Sequence, residues 1–233
     1  MRSAALTPLF SLLAFAWSPP SYDGYRLAWS DSFTGPSGLL PNQGIWNIKD
    51  GDLGVNNELQ TYKANPRNVQ TSGGNTLQLV PWRDSSVRAG WTSGRIESKS
   101  TFVPQAGGLT IAEGVIRFGS NQIWTSDEVI VGAASRLTPA EPQRQRWRIV
   151  WDRTPNNWLS ETITWFMNDQ QFHQIRGDQI GDLGVWQSLA QKPLFFILNV
   201  AVGGDWPGYP NANTLDGYGA MMEVGYVALY HSL

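Results

Sequence analysis

Apolar and polar residues alternate along this chain in short bursts separated by clusters of Gly, Asn and Pro, and no other feature restricts its fold so strongly. Residues 76–80, 94–99, 113–118, 146–151 and 162–167 carry the alternation. A period of two sends successive side chains to opposite faces, so each burst predicts a half-buried strand. Between them stand Gly73-Gly74-Asn75, Gln105-Ala106-Gly107-Gly108, Thr154-Pro155-Asn156-Asn157 and Asn168-Asp169. These residue types turn a chain by accepting positive φ, by fixing φ, or by local side-chain hydrogen bonds. Many short strands joined by tight turns predict an antiparallel sandwich. The 24 Gly, 14 Pro and 12 Trp in 233 residues are equally far from a helical bundle. Residues 194–202 are apolar except for Asn199, which predicts a central strand covered on both faces. The last strand is predicted over residues 222–229, and a short helix only over 183–190.

Charge and composition then remove whole classes of function. The 17 Lys plus Arg against 19 Asp plus Glu leave a net charge of -2, which offers nucleic acid or a membrane surface no electrostatic footprint. With no Cys and only His173 and His231, disulfides, thiol nucleophiles, most zinc sites and serine-histidine triads are excluded. Chemistry falls to carboxylates. At the amino terminus Arg2 precedes an apolar run from Ala4 to Ala16, closed by Ala14-Phe15-Ala16. This reads as a signal peptide over residues 1–16, a buried strand being the alternative, and the run is too short for about 30 Å of hydrocarbon. A single domain over residues 17–233, secreted to the extracellular space or cell wall, is the expectation.

Three stretches carry more specific information. They are Gly54-Val55-Asn56-Asn57-Glu58-Leu59-Gln60-Thr61-Tyr62, Gly90-Trp91-Thr92-Ser93-Gly94-Arg95-Ile96-Glu97-Ser98, and Phe196-Ile197-Leu198-Asn199-Val200-Ala201-Val202-Gly203-Gly204-Asp205-Trp206-Pro207-Gly208. In this order, with the closing run Met222-Glu223-Val224-Gly225-Tyr226, the chain resembles glycoside hydrolase family 16, in its secreted fungal, laminarinase-type members. The resemblance implies a concanavalin A-like β-jelly roll, two curved antiparallel sheets whose concave face is a sugar cleft. It implies a retaining endo-β-1,3- or mixed-linkage glucanase, with β-glucan as partner, a monomer, and no cofactor. It places Asn56, Asn57, Arg95 and Trp206 at the saccharide. Their chemistry agrees, because sugars stack apolar faces on aromatic rings and hydrogen-bond through hydroxyls to planar amide and guanidinium groups. Trp46, Trp82, Trp151 and Trp165 are read as packing residues instead.

One part of the family pattern is missing. Retaining cleavage uses two glutamates about 5 to 5.5 Å apart, in a run Glu-x-Asp-x-x-Glu or its shorter form. None of the seven glutamates stands in such a triplet. The run belongs between the strands ending near Asn121 and starting near Trp147, where only residues 122–146 remain. The sandwich is therefore expected to be incomplete around residues 122–146. With Glu128 as a remnant nucleophile, the Asp position falls on Ile130 and the acid position on Ala133. Loss of the strand by the protein and omission of coding sequence both fit; the preserved flanks favour omission. The chain as written is expected to be inactive, and a non-catalytic β-glucan-binding jelly roll or a structural wall component are the alternatives. The acidic ligand with which many relatives hold a structural calcium would fall on Gly225, so no metal is expected.

Overall fold

The computed structural model describes residues 18–119, 144–205 and 208–233. The first strands are β1 (Tyr25–Asp31), β2 (Trp46–Ile48), β3 (Gln60–Tyr62), β4 (Val69–Thr71), β5 (Leu77–Leu79), β6 (Trp82–Arg83) and β7 (Trp91–Ser93). Then come β8 (Arg95–Ser98), β9 (Leu109–Arg117), β10 (Gln145–Asp152), β11 (Thr162–Met167) and β12 (Gln170–Arg176). Two helices, α1 (Gly177–Ile180) and α2 (Leu183–Ala190), precede β13 (Ile197–Asn199) and β14 (Met222–Ser232). Each alternating burst forms a strand, and the predicted helix forms over the predicted residues. Asp182 caps that helix by accepting the Val185 N–H at 2.9 Å.

The larger sheet runs β12-β11-β10-β9-β14-β5-β4. Strand β14 spans it: one edge pairs with β9, while Met222–Val224 on the other edge pairs with β5 and Val227–Ser232 with β1. The register against β9 shifts between Val224 and Tyr226, so Gly225 is the extra residue of a bulge.

Opposite lie two short sheets, β13-β8-β2 and β3-β7-β6. Strands β7 and β8 are separated only by Gly94, whose Cα is so close to β4 that a Cβ there would sit 2.4 Å from the Asn68 carbonyl oxygen. The β3–β7 pair is parallel, the one departure from antiparallel pairing among the described strands. Trp46 and Ile96 from this layer share one core with Leu77, Leu79, Ile116, Trp147 and Val224 from the larger sheet. That shared core makes the sandwich. A second cluster seats Trp186 and Ala190 of α2 against Trp151, Ile163 and Trp165. Trp46, Trp151 and Trp165 are buried as expected, and half-buried Trp82 donates its indole N–H to the Arg67 carbonyl at 2.8 Å.

The outward face of the larger sheet hides a carboxylate. Glu113, 2% exposed, accepts hydrogen bonds from the Tyr22 and Tyr226 hydroxyls at 2.7 and 2.5 Å and pairs with Arg148 at 2.9 Å. Burial first, then the Glu113 charge, push the Tyr226 hydroxyl's pKa upward. A buried ion so fully partnered ties the segment around Tyr22 onto the sheet.

One strand expectation needs correction. Among the described residues β13 pairs along one edge only, with β8, and Phe195 and Ile197 are 43% and 39% exposed. Leu198 and Val200 point inward while the intervening face looks outward, so the run is half-buried and not covered on both faces. Its apolar residues divide between the core and an outward-facing surface.

Strands β9 and β10 pair directly from Leu109 opposite Asp152 to Ile116 opposite Gln145. The gap around residues 122–146 therefore interrupts no pairing in the larger sheet, and apart from Arg144, Gln145 and Arg146 it lies outside the described residues. So do residues 1–17, Glu128 and Trp206.

Candidate functional site

Alternation along β8 sends Ile96 and Ser98 into the core and Arg95 and Glu97 to the opposite face. In register, Glu97 stands between Asn47 on β2 and Ile197 on β13, while Arg95 stands beside Asn199. Cross-strand partners share a face, so these five residues form one surface. The Lys49 backbone N–H donates to the Arg95 carbonyl at 3.0 Å, bringing the Lys49 side chain onto the same surface. Its ammonium pairs with Glu97 at 2.8 Å, and the Arg95 guanidinium reaches the other Glu97 oxygen at 2.9 and 3.0 Å. Partial burial opposes the Glu97 charge, but hydrogen bonds from Lys49 and Arg95 outweigh it and hold the carboxyl below the usual range. Glu97 is thus a fixed anion that orients two cations, and it carries no proton to give near neutral pH.

Two loops rise beside this face. Asn56 and Asn57 both adopt left-handed backbone, with φ of 51° and 53°, a conformation asparagine tolerates better than other non-glycine residues. The Asn57 amide donates to both carboxylate oxygens of Asp205 at 3.0 Å. The Asp205 backbone N–H donates to the Asn56 carbonyl at 3.0 Å, and the Leu59 N–H to the Val202 carbonyl at 2.8 Å. Beneath them Gln60 donates to Glu58 at 2.5 Å and accepts the Val202 N–H at 2.7 Å. The Asn199 amide donates to the Tyr62 hydroxyl at 3.2 Å, joining β13 to the floor below the loops.

The result is a surface of guanidinium, ammonium and amide groups beside exposed Phe195 and Ile197, with a hydrogen-bonded rim. That mixture suits a polyhydroxylated ligand with apolar faces. The remaining buried glutamates are engaged elsewhere: Glu113 as described, Glu161 by the Trp186 indole N–H at 2.8 Å, and Glu223 by Thr76 and Arg117 at 2.9 and 2.8 Å. No three His, Asp or Glu side chains gather in a metal-holding group among the described residues.

Comparison with known proteins bears on this arrangement. No family model matches the chain. It is 28% identical over 245 aligned positions to the clotting factor G alpha subunit of Tachypleus tridentatus, covering 88% of this chain and 34% of that one. The chain thus spans about a third of that relative's length. It is 26% identical over 250 positions to a β-glucanase of Rhodothermus marinus, covering 88% and 85% of the two chains. Its structure matches the crystal structure of the endo-1,3-β-glucanase from Streptomyces sioyaensis with a TM-score of 0.78 at 21% identity, over 92% of this chain and 99% of that one. The chain has the fold of that glucanase. The expected jelly roll is therefore its architecture.

Within this glucanase fold the predicted residues take different roles. Arg95 lies on the polar face, held by Glu97. Asn56 and Asn57 lie on the rim, but the Asn57 amide is committed to Asp205. Glu128 and Trp206 lie outside the described residues, Trp206 following Asp205 directly in the chain. Sequence reasoning passed over Lys49, Glu97, Gln60 and Asp205. Glu97 was legible, since residues two apart on a strand share a face; the Asn57–Asp205 contact joins residues far apart in sequence and had no local signal.

Proposed function

We propose that this chain is a secreted, β-glucan-active protein of the glycoside hydrolase family 16 type, and that as written it holds β-1,3- or mixed-linkage glucan without cutting it efficiently. The observation that carries this reading is the Arg95–Glu97–Lys49 face flanked by the joined rim, on the same architecture as an endo-1,3-β-glucanase. Planar hydrogen-bonding groups locked in place beside apolar surface are what a glucan chain needs, because hydroxyl recognition requires donors that do not reorganise on binding. Trp206, next to Asp205, supplies the stacking ring in this proposal, and Asn56 a hydroxyl partner. The absent Glu-x-Asp-x-x-Glu run argues for holding over cutting.

The test is titration of purified residues 17–233 with laminarin oligosaccharides, followed by tryptophan fluorescence. The protein is expected to bind, and Trp206→Ala to weaken binding by about 1 kcal/mol, the worth of an aromatic stack beyond its buried area. Equal affinity of the two proteins removes Trp206 from the site, and no binding by the unaltered protein overturns the proposal.

A further inference from the structure

The two rim loops are joined by backbone and side-chain hydrogen bonds, and one buried side chain bonds to both of them. Gln60 is 3% exposed and uses both ends of its amide: the oxygen accepts the Val202 N–H at 2.7 Å and the nitrogen donates to Glu58 at 2.5 Å. Above it, the Leu59-to-Val202 and Asp205-to-Asn56 backbone bonds and the Asn57–Asp205 latch continue the connection outward. The loops approach so closely that a Cβ at Gly204, where φ is +106°, would lie 2.6 Å from the Asn56 carbonyl oxygen. At Gly203, where φ is +65°, a Cβ would meet the Leu59 and Pro210 side chains less closely, at 3.1 Å.

We propose that Gln60 is a positioning residue of the glucan cleft: it locks residues 54–59 to residues 200–205, so that Asn56 and the segment leading to Trp206 meet the glucan as one rigid rim. This rests on β-glucan being the ligand of the cleft. An amide is the side chain this position requires, since it must accept from a backbone N–H and donate to a carboxylate at once. A carboxylate there would keep the first bond and face Glu58 with like charge. A rim held open by that repulsion loses the geometry that both loops share, and coupled contacts of this kind change affinity by about tenfold.

The experiment uses Gln60→Glu and Gln60→Met, each first confirmed as folded by circular dichroism and a cooperative melt. Methionine keeps the volume but has neither bond, and such swaps are tolerated best in packed sites. Laminarin oligosaccharides are titrated against both variants and the unaltered protein at pH 7 and near pH 4. Both variants are expected to bind about tenfold more weakly at pH 7. Gln60→Glu is expected to regain most of the difference from the unaltered protein near pH 4, about the ordinary pKa of glutamate, as a shared proton restores a donor toward Glu58. Gln60→Met has no such proton and stays weak. A merely structural role predicts folded variants with lower melting temperatures and unchanged affinity, which overturns the proposal while leaving the glucan reading intact. Absence of binding by the unaltered protein overturns both.

Discussion

A strand that places Arg95 and Glu97 two residues apart makes an ion pair almost unavoidable, yet the pair alone would leave Glu97 with one satisfied oxygen. Lys49, carried in by its backbone bond to Arg95, takes the other. The Glu97 pKa is lowered in the fold, so the stabilisation from this group is present above the unfolded glutamate range and is lost as pH falls through the folded value. Melting temperature measured against pH is expected to fall more steeply below about pH 4 for the unaltered protein than for Glu97→Gln, which has no proton to take up. Identical acid slopes would show that the two cations do not hold Glu97 as described. Asn57 teaches the complementary lesson. As a residue type it suits a sugar hydroxyl, but its side chain is spent on Asp205, and a rim residue can serve a ligand by fixing the ring of contacts around it.

At the scale of elements, the smaller layer depends on Gly94. Strands β7 and β8 are one run of sequence, and the glycine between them lies against β4 more closely than any side chain permits. A methyl group there meets backbone, which cannot rotate aside, and the Val69 side chain at 2.8 Å. Gly94→Ala is expected to destabilise the protein by about 1–3 kcal/mol through overpacking, read as a lower denaturant midpoint with little change in slope. An unchanged midpoint would mean that the layers separate freely at this point. The sequence shows a glycine followed by an alternating run; it does not show that the glycine touches residues 68 and 69, because that approach exists only once the sheets are stacked.

The whole molecule presents an unbroken larger sheet beside a smaller layer whose β13 edge has no partner among the described residues. Direct β9–β10 pairing explains how the chain keeps its sandwich although the segment between those strands is short. General acid assistance contributes about 10²- to 10⁴-fold to such reactions, and Glu97, the carboxylate best placed on the polar face, is held as an anion. Residues 17–233 are accordingly expected to release reducing sugar from laminarin at no more than a trace of a glucanase rate. Glu128→Gln is the control: robust turnover that this substitution abolishes would mean that another acid, such as Asp127 or Glu141, serves beside it.

What the sequence determined alone is what local physics controls. Alternation placed β5, β8, β9, β10 and β11, since each burst has one face that must leave water. Residues 183–190 were legible as a short helix, and Glu97, two residues from Arg95 on one strand, was legible as sharing its face. The rest required long-range approach. Strands β2, β3, β4 and β7 are only three residues each, too short to carry a period, and exist because neighbours complete their hydrogen bonds. Residues 194–200 are apolar in sequence except for Asn199, but which face of β13 met a second layer was decided by the stacking of the sheets. The Gln60 joint and the Asn57–Asp205 latch were decided there too, because a side chain's partner more than a hundred residues away is chosen by topology, and no local pattern records it.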